Sequence, residues 1–260
     1  MGGDGTDRPP DDEAADGDLP RGPGPVALGH RLGQVCADLR SRVAVDGAGI
    51  TVMGSLAGGL RGVRDQIAAV GALSSRLEDL QLTTGEGPCL DAFARGVPVL
   101  TADLAAELGR WPGFAPSALA AGAAAVFSFP LQLGVVRLGT LDLYRTRSGG
   151  LSRSQLASAL AAGDAVTEAL LTDPDTDPGA GEDIGWLPGV HADVHIASGM
   201  LSARSGMDVG TALLRLRAHA FAHGEPLHEV ARRVIARTLD LTDPIHDDPR
   251  PTPDPEDDHP

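Results

Sequence analysis

Lysine is absent, and every one of the 21 basic residues in this 260-residue chain is Arg. Acids outnumber them at 36, for a net charge of -15. That balance excludes a protein that coats nucleic acid or an anionic membrane over its whole surface, and leaves room only for a local basic face. Aromatic residues make up 3% of the chain, so its cores must be built from Ala, Leu and Val, with few rings to stack on bases. Two cysteines, Cys36 and Cys89, are too few for a disulfide framework and too scattered for a zinc site, which points to a reducing cytoplasm. No Arg-led apolar segment opens the chain, so no cleaved secretory signal is expected. The one long uncharged run, Trp111 to Val136, is interrupted by Pro112, Pro116 and Pro130 and by Ser117, Ser128 and Gln132. It reads as a helix followed by a buried strand, and no membrane span is expected.

Charge locates the domains. Residues 1–25 carry seven acids and two Arg, residues 172–185 five acids, and residues 240–260 eight acids and one Arg. These Pro/Gly/Asp-rich segments read as acidic tails and a linker, because they cannot bury enough apolar surface to offset the entropy of ordering. Two folded units remain. Residues 26–171 are balanced, twelve acids against twelve Arg, and residues 186–239 are mildly basic, six Arg against four acids.

The first unit mixes helices and strands. Leu28, Leu32, Val35, Leu39 and Val43 recur at helical spacing, and Leu73, Leu77 and Leu80 share a face of a second helix over 73–82. Strands are predicted at 50–53, 66–70, 98–101, 125–133 and 137–144, the last two joined as a hairpin at Gly134, with a helix closing at 119–122 between them and the third strand. A long helix follows over 152–171, with Ser152 as its N-cap. The expected fold class is therefore α+β, one antiparallel sheet with helices on its faces. The second unit reads as three helices. Val190, Val194, Ala197 and Leu201 form the first stripe, Ala212, Leu213, Leu216 and Ala220 the second, and Leu227, Val230, Ala231 and Val234 the third.

Those stripes carry a resemblance. Val194-His-Ile-Ala-Ser-Gly-Met-Leu-Ser-Ala-Arg204, Ala212-Leu-Leu-Arg-Leu-Arg-Ala-His-Ala220 and Leu227-His-Glu-Val-Ala231 together resemble the ANTAR domain, the three-helix RNA-binding module of transcription antitermination regulators. Arg76-Leu-Glu-Asp-Leu-Gln81, Gly85-Glu-Gly-Pro-Cys-Leu-Asp91, Trp111-Pro-Gly-Phe114 and Leu141-Asp-Leu-Tyr144 are similar to the GAF sensor domains that precede ANTAR modules in actinobacterial proteins. The resemblance implies a cytoplasmic, homodimeric regulator that is not an enzyme. Its GAF-like unit would receive a signal, an unknown small molecule included, and its bundle would bind hairpins of nascent RNA so that an antiterminator forms in place of a terminator.

The candidate RNA-binding residues are Arg204, Arg215, Arg217, His219, Arg232, Arg233 and Arg237. Guanidinium groups fork onto phosphate oxygens and stack on unpaired bases, which suits RNA loops. Arg217, on the family's recurring Leu-Arg position, is expected to serve binding and not folding. The plainer alternative for Arg233 is an ion pair on the helix surface, since Glu229, Arg233 and Arg237 are four apart.

Other chemistries find less support. Gly85-Glu-Gly-Pro-Cys89 lacks the third glycine and the preceding strand of a dinucleotide loop, and reads as a turn. Cys89 has no nearby base in sequence and an acid at Asp91, and reads as a buried inert thiol. His191 and His195 could face a metal from one helix, but no third ligand has matching spacing, so neither metal nor cofactor is expected. There is no nucleophile elbow. The enzymatic alternative is a GAF-fold thiol reductase of a small oxidised substrate, which needs Cys36 and Cys89 as a pair. DNA reading by a helix-turn-helix is disfavoured by the lack of Asn or Gln on the third helix.

Overall fold

Alternation along the strands sorts the sheet into two chemically different faces, and everything else is arranged to cover them. The computed structural model describes residues 25–56, 60–172 and 192–242. All but Pro25 and residues 240–242 of the expected acidic tails, most of the linker, Val190 and His191 lie outside the described residues.

The chain runs α1 (Pro25–Val43), β1 (Gly47–Leu56), β2 (Leu60–Val70), α2 (Ser74–Thr84), α3 (Pro88–Arg95), β3 (Val99–Thr101), a short 3-10 turn (Leu104–Glu107), α4 (Phe114–Ala120), β4 (Ala125–Leu133), β5 (Val136–Arg145) and α5 (Arg153–Thr172). The five strands form one antiparallel sheet in the order β2-β1-β5-β4-β3. The α+β expectation is met. Ser152 opens α5 as a capping box: Gln155 N donates to Ser152 Oγ at 3.3 Å, and Ser152 N donates to Gln155 Oε1 at 2.9 Å.

One sheet face is apolar. Ala48, Ile50, Phe127, Phe129, Leu131, Leu141 and Leu143 pack against Leu28, Leu32, Cys36 and Leu39 of α1 and Ala159, Val166 and Leu170 of α5. The opposite face carries Thr51, Arg64, Gln66, Ser128, Thr140, Asp142 and Tyr144, all buried. β5 is the middle strand, so its polar positions are roofed by α2, α3 and α4, whose own core includes Leu77, Ala92, Trp111, Phe114 and Ala118.

Residues 85–89, read as a turn, divide differently. The turn ends at Gly87, and Pro88, lacking an N–H the first helical turn would leave unbonded, starts α3. Cys89 is thereby a residue of a helix first turn.

Three helices follow: α6 (Ala192–Ser205), α7 (Val209–His223) and α8 (Leu227–Ile235). Asp208 caps α7 by accepting from Thr211 N at 2.9 Å. The core holds Val194, Ala197, Leu201, Leu213, Leu216, Ala220, Leu227, Val230 and Val234, as the stripes predict. It also holds Leu82 from α2, so the bundle and the sheet-bearing unit share a hydrophobic cluster.

Candidate functional site

Register brings the polar face together. Thr51 on β1 sits opposite Gln66 on β2 and Thr140 on β5, and Asp142 opposite Ser128 on β4. Into this row α2 lowers Glu78, which is 1% exposed. Glu78 Oε2 accepts from Arg64 Nη2 at 2.8 Å and from Thr51 Oγ1 at 3.1 Å, and Tyr144 Oη donates to Glu78 Oε1. Arg64 Nη2 also lies 2.9 Å from Cys89 Sγ. Asp142 accepts from Ser128 Oγ and, at 2.7 Å, from Thr140 Oγ1. Gln81 Oε1 accepts from Cys89 N at 2.9 Å, holding the start of α3 to α2. That approach needs Gly87 at φ +136, because a Cβ there would meet Gln81 Oε1 at 2.6 Å.

The electrostatics follow from burial. Desolvation, followed by the neighbouring Glu78 charge, holds the Asp142 carboxyl well above the usual carboxylate range. Burial likewise pushes the Cys89 thiol up, and Arg64 only partly offsets it. Tyr144 is raised by the same desolvation. For Arg64, burial alone would lower the pKa, but the surrounding Cys89, Glu78 and Asp142 raise it. One cation thus sits among four acidic side chains, three of which favour their protonated forms. Glu78, Cys89 and Asp142 present ligand atoms within 4.8 Å of one another, a set that could hold a metal ion. Arg64 stands on two of those three groups, so its guanidinium takes the place and charge that an ion would supply. Around this cluster, three buried donors have no hydrogen-bond partner among the described residues: Arg64 Nη1, Gln66 Nε2 and Gln81 Nε2. The amide of Gln81 is fixed by its bond from Cys89 N, so its Nε2 is a genuine donor.

Cys36 and Cys89 lie on opposite sides of the sheet, in the α1 core and in the polar cluster respectively. The thiol pair required by the reductase alternative is therefore not assembled.

The candidate RNA-binding residues divide into two groups. Arg204 pairs with Asp240 at 2.9 Å, Arg232 with Asp193 at 2.7 Å and Arg233 with Glu225 at 2.7 Å, all partly or largely exposed. The partner of Arg233 is thus Glu225 and not Glu229. Arg237 is exposed just past α8 in a left-handed conformation, φ 58. Arg215 Nη1 donates to the carbonyls of Leu241 and Thr242 at 3.0 and 2.9 Å. His219 and His223 stack with ring centroids 4.0 Å apart. Desolvation, then the neighbouring His223, lowers the pKa of His219. Phe221, between them in sequence, is 61% exposed.

Arg217 is placed differently. Its Nε donates to the carbonyl of Leu82 at 2.8 Å, in the last turn of α2, where helix carbonyls lack internal partners. Burial and the nearby Arg64 lower its pKa to about 10. Arg217, expected to serve binding and not folding, makes an interdomain contact in this arrangement. The polar cluster itself, Arg64, Glu78, Asp142 and Tyr144, went unrecognised as a site in the sequence. Its available signal was the Thr140-x-Asp142-x-Tyr144 alternation in a strand between two apolar neighbours.

No protein-family model matches the chain, and no curated protein matches it. Solved structures do. The GAF domain of a phosphoenolpyruvate-protein phosphotransferase from Coxiella burnetii is 17% identical, covering 55% of this chain and 82% of its own, with a TM-score of 0.42. The GAF-B domain of DevS from Mycobacterium smegmatis is 14% identical over 56% of this chain and 91% of its own, at 0.37. A type II free methionine-R-sulfoxide reductase from Thermoplasma acidophilum is 15% identical over 56% of this chain and 93% of its own, at 0.43.

Proposed function

We propose that the chain is a signal-responsive regulator that binds hairpins of nascent RNA through α6–α8 and promotes antitermination under control of the sheet-bearing unit. The observation that carries this reading is the outer surface of the bundle. Arg204, Arg232, Arg233 and Arg237 lie on it, with the exposed rings of Phe221 and His223 on the same small unit, His223 stacked on the partly buried His219. Guanidinium groups supply phosphate contacts and rings supply stacking, the combination that single-stranded loops require. The surface ion pairs of these arginines are weak enough to exchange for phosphate.

The sensor role rests on the buried cluster. Arg64 Nη1, Gln66 Nε2 and Gln81 Nε2 each lack an acceptor, so the signal is read as a small molecule rich in acceptor oxygens. The protein acts in this reading as a cytoplasmic homodimer, and sedimentation at micromolar concentration should return twice the 26.6 kDa chain mass.

Crosslinking to RNA in native cells, followed by sequencing of what is bound, tests the function. Enrichment of hairpins just upstream of terminators is expected, with loss in a variant carrying Arg204, Arg232, Arg233 and Arg237 all changed to Ala. Recovery no greater than from that variant would overturn the reading.

A further inference from the structure

The contact between the bundle and α2 uses Arg217, an arginine that the resemblance assigns to RNA alongside the surface arginines. Arg217 Nε is committed to Leu82 O at 2.8 Å, and a Cβ added to Gly85 would meet its Nη1 at 3.1 Å. Gly85 stands at φ +70 and ends α2, so the guanidinium lies across the bare backbone of the helix terminus. Its positive charge complements the negative end of that helix.

Three further contacts make this a docking surface. Leu82 is 2% exposed and sits within the apolar core of α6–α8. His228 Nδ1 lies 3.8 Å from Asp79 Oδ2. The backbone N–H of Arg64 faces His195 Nε2 at 3.5 Å. All three bundle helices therefore contribute to the docked surface, and Arg217 lies inside it.

We infer that the C-terminal turn of α2 is an intramolecular competitor of RNA: the docked bundle has Arg217 sequestered, and RNA binds the bundle released from α2. This rests on the RNA-binding reading and adds its regulation. With Nε bonded to the Leu82 carbonyl and the guanidinium largely buried against Gly85, the docked arginine has lost its side-on fork through Nε and has little access for an incoming phosphate, so the two partners compete for it. The same helix carries the signal. Glu78 and Gln81 of α2 reach inward to Arg64, Tyr144, Thr51 and Cys89, while Asp79 and Leu82, each the next residue along, reach the bundle. A ligand that rearranges the inner contacts moves the outer ones, because both are fixed to a single helix of three turns.

The test uses the full chain and a fluorescein-labelled hairpin-pair RNA taken from the crosslinked transcripts, with a scrambled RNA as control. Leu82→Glu places a carboxylate against the apolar core of the bundle without altering any bundle residue. Gly85→Val introduces a side chain at a left-handed position and against Arg217, and serves as an independent route should Leu82→Glu lose helicity by circular dichroism. Amide hydrogen exchange reports docking separately from RNA binding, through protection of residues 79–85. Both variants should lose that protection and bind the hairpin pair about tenfold more tightly, the gain when a competent form rises from about a tenth of the molecules to nearly all. Adding Arg217→Ala to either should remove the gain. Lost protection with unchanged or weaker RNA binding would overturn the inference while leaving the RNA reading standing. Failure of the native chain and both released variants to prefer the hairpin pair over the scrambled RNA would overturn the RNA reading itself.

Discussion

Arg217 of α7 caps α2 by donating from Nε to the carbonyl of Leu82, 135 residues earlier in the chain, at 2.8 Å. A charged donor on an otherwise unpaired helix carbonyl contributes more than a neutral hydrogen bond, and its removal leaves a part-buried acceptor behind. Arg217→Ala should therefore lower unfolding stability by about 1–3 kcal/mol, within the range for hydrogen bonds to charged groups. Urea denaturation followed by circular dichroism measures it. An unchanged midpoint would mean that the contact contributes nothing in solution.

Within the polar cluster, Arg64 and Glu78 form an ion pair with both side chains at 6% exposure or less. Removing one partner leaves the other charge buried, at a cost of roughly 3–5 kcal/mol, whereas replacing both by apolar residues of similar volume costs far less. Glu78→Gln and Arg64→Met should each be strongly destabilising, and Arg64→Met combined with Glu78→Leu should recover much of the loss. Additive single effects would show that the pair is not coupled.

How much of this was legible follows from the distance over which each feature is built. The β4–β5 hairpin, the Ser152 cap and the three stripes of the bundle are local, and periodicity with turn chemistry reveals them. Helix α3 is two turns long, and the two flanking glycines mask it; Pro88 was its one start signal. The cluster draws on β1, β2, β4, β5, α2 and α3, and only strand pairing assembles it. Alternation shows that Thr140, Asp142 and Tyr144 share a face, but not that helices roof that face. Nothing within a local window links Arg217 to Leu82.

Alkaline stability probes the apolar face. Burial pushes the Cys36 thiol up to about 12 from its ordinary value near 9.0. Between those values the unfolded chain has released the proton and the folded chain retains it, so the folded form binds more protons and stability falls as pH rises. The slope from this one group is at most about 1.4 kcal/mol per pH unit. Cys36→Ala should show a correspondingly shallower decline above pH 9, whatever its stability at neutral pH. Identical slopes in native and variant chains would show that Cys36 is not buried as described.

The acid-rich end of the chain starts on the bundle. Asp240 pairs with Arg204, and the carbonyls of Leu241 and Thr242 accept from Arg215. Residues 240–260 hold eight acids and one Arg, and under the proposed RNA-binding reading those acids would compete with phosphate for the bundle's arginines. Truncation after Leu239 should strengthen binding to scrambled RNA more than to hairpin RNA at low salt, with the difference fading as screening shortens the field. Parallel salt series for full-length and truncated chains would make the segment a bystander.

Fluorescence anisotropy of the hairpin-pair RNA, titrated with the full chain and with the variant in which Arg204, Arg232, Arg233 and Arg237 are all Ala, addresses the RNA-binding surface most directly. The native chain should prefer the hairpin pair over the scrambled RNA and bind more weakly as salt rises. The variant should bind more weakly at every salt, with a shallower dependence on salt because fewer phosphate contacts release counterions. Equal affinity and equal salt slope for the two chains would contradict the assignment of that surface to RNA.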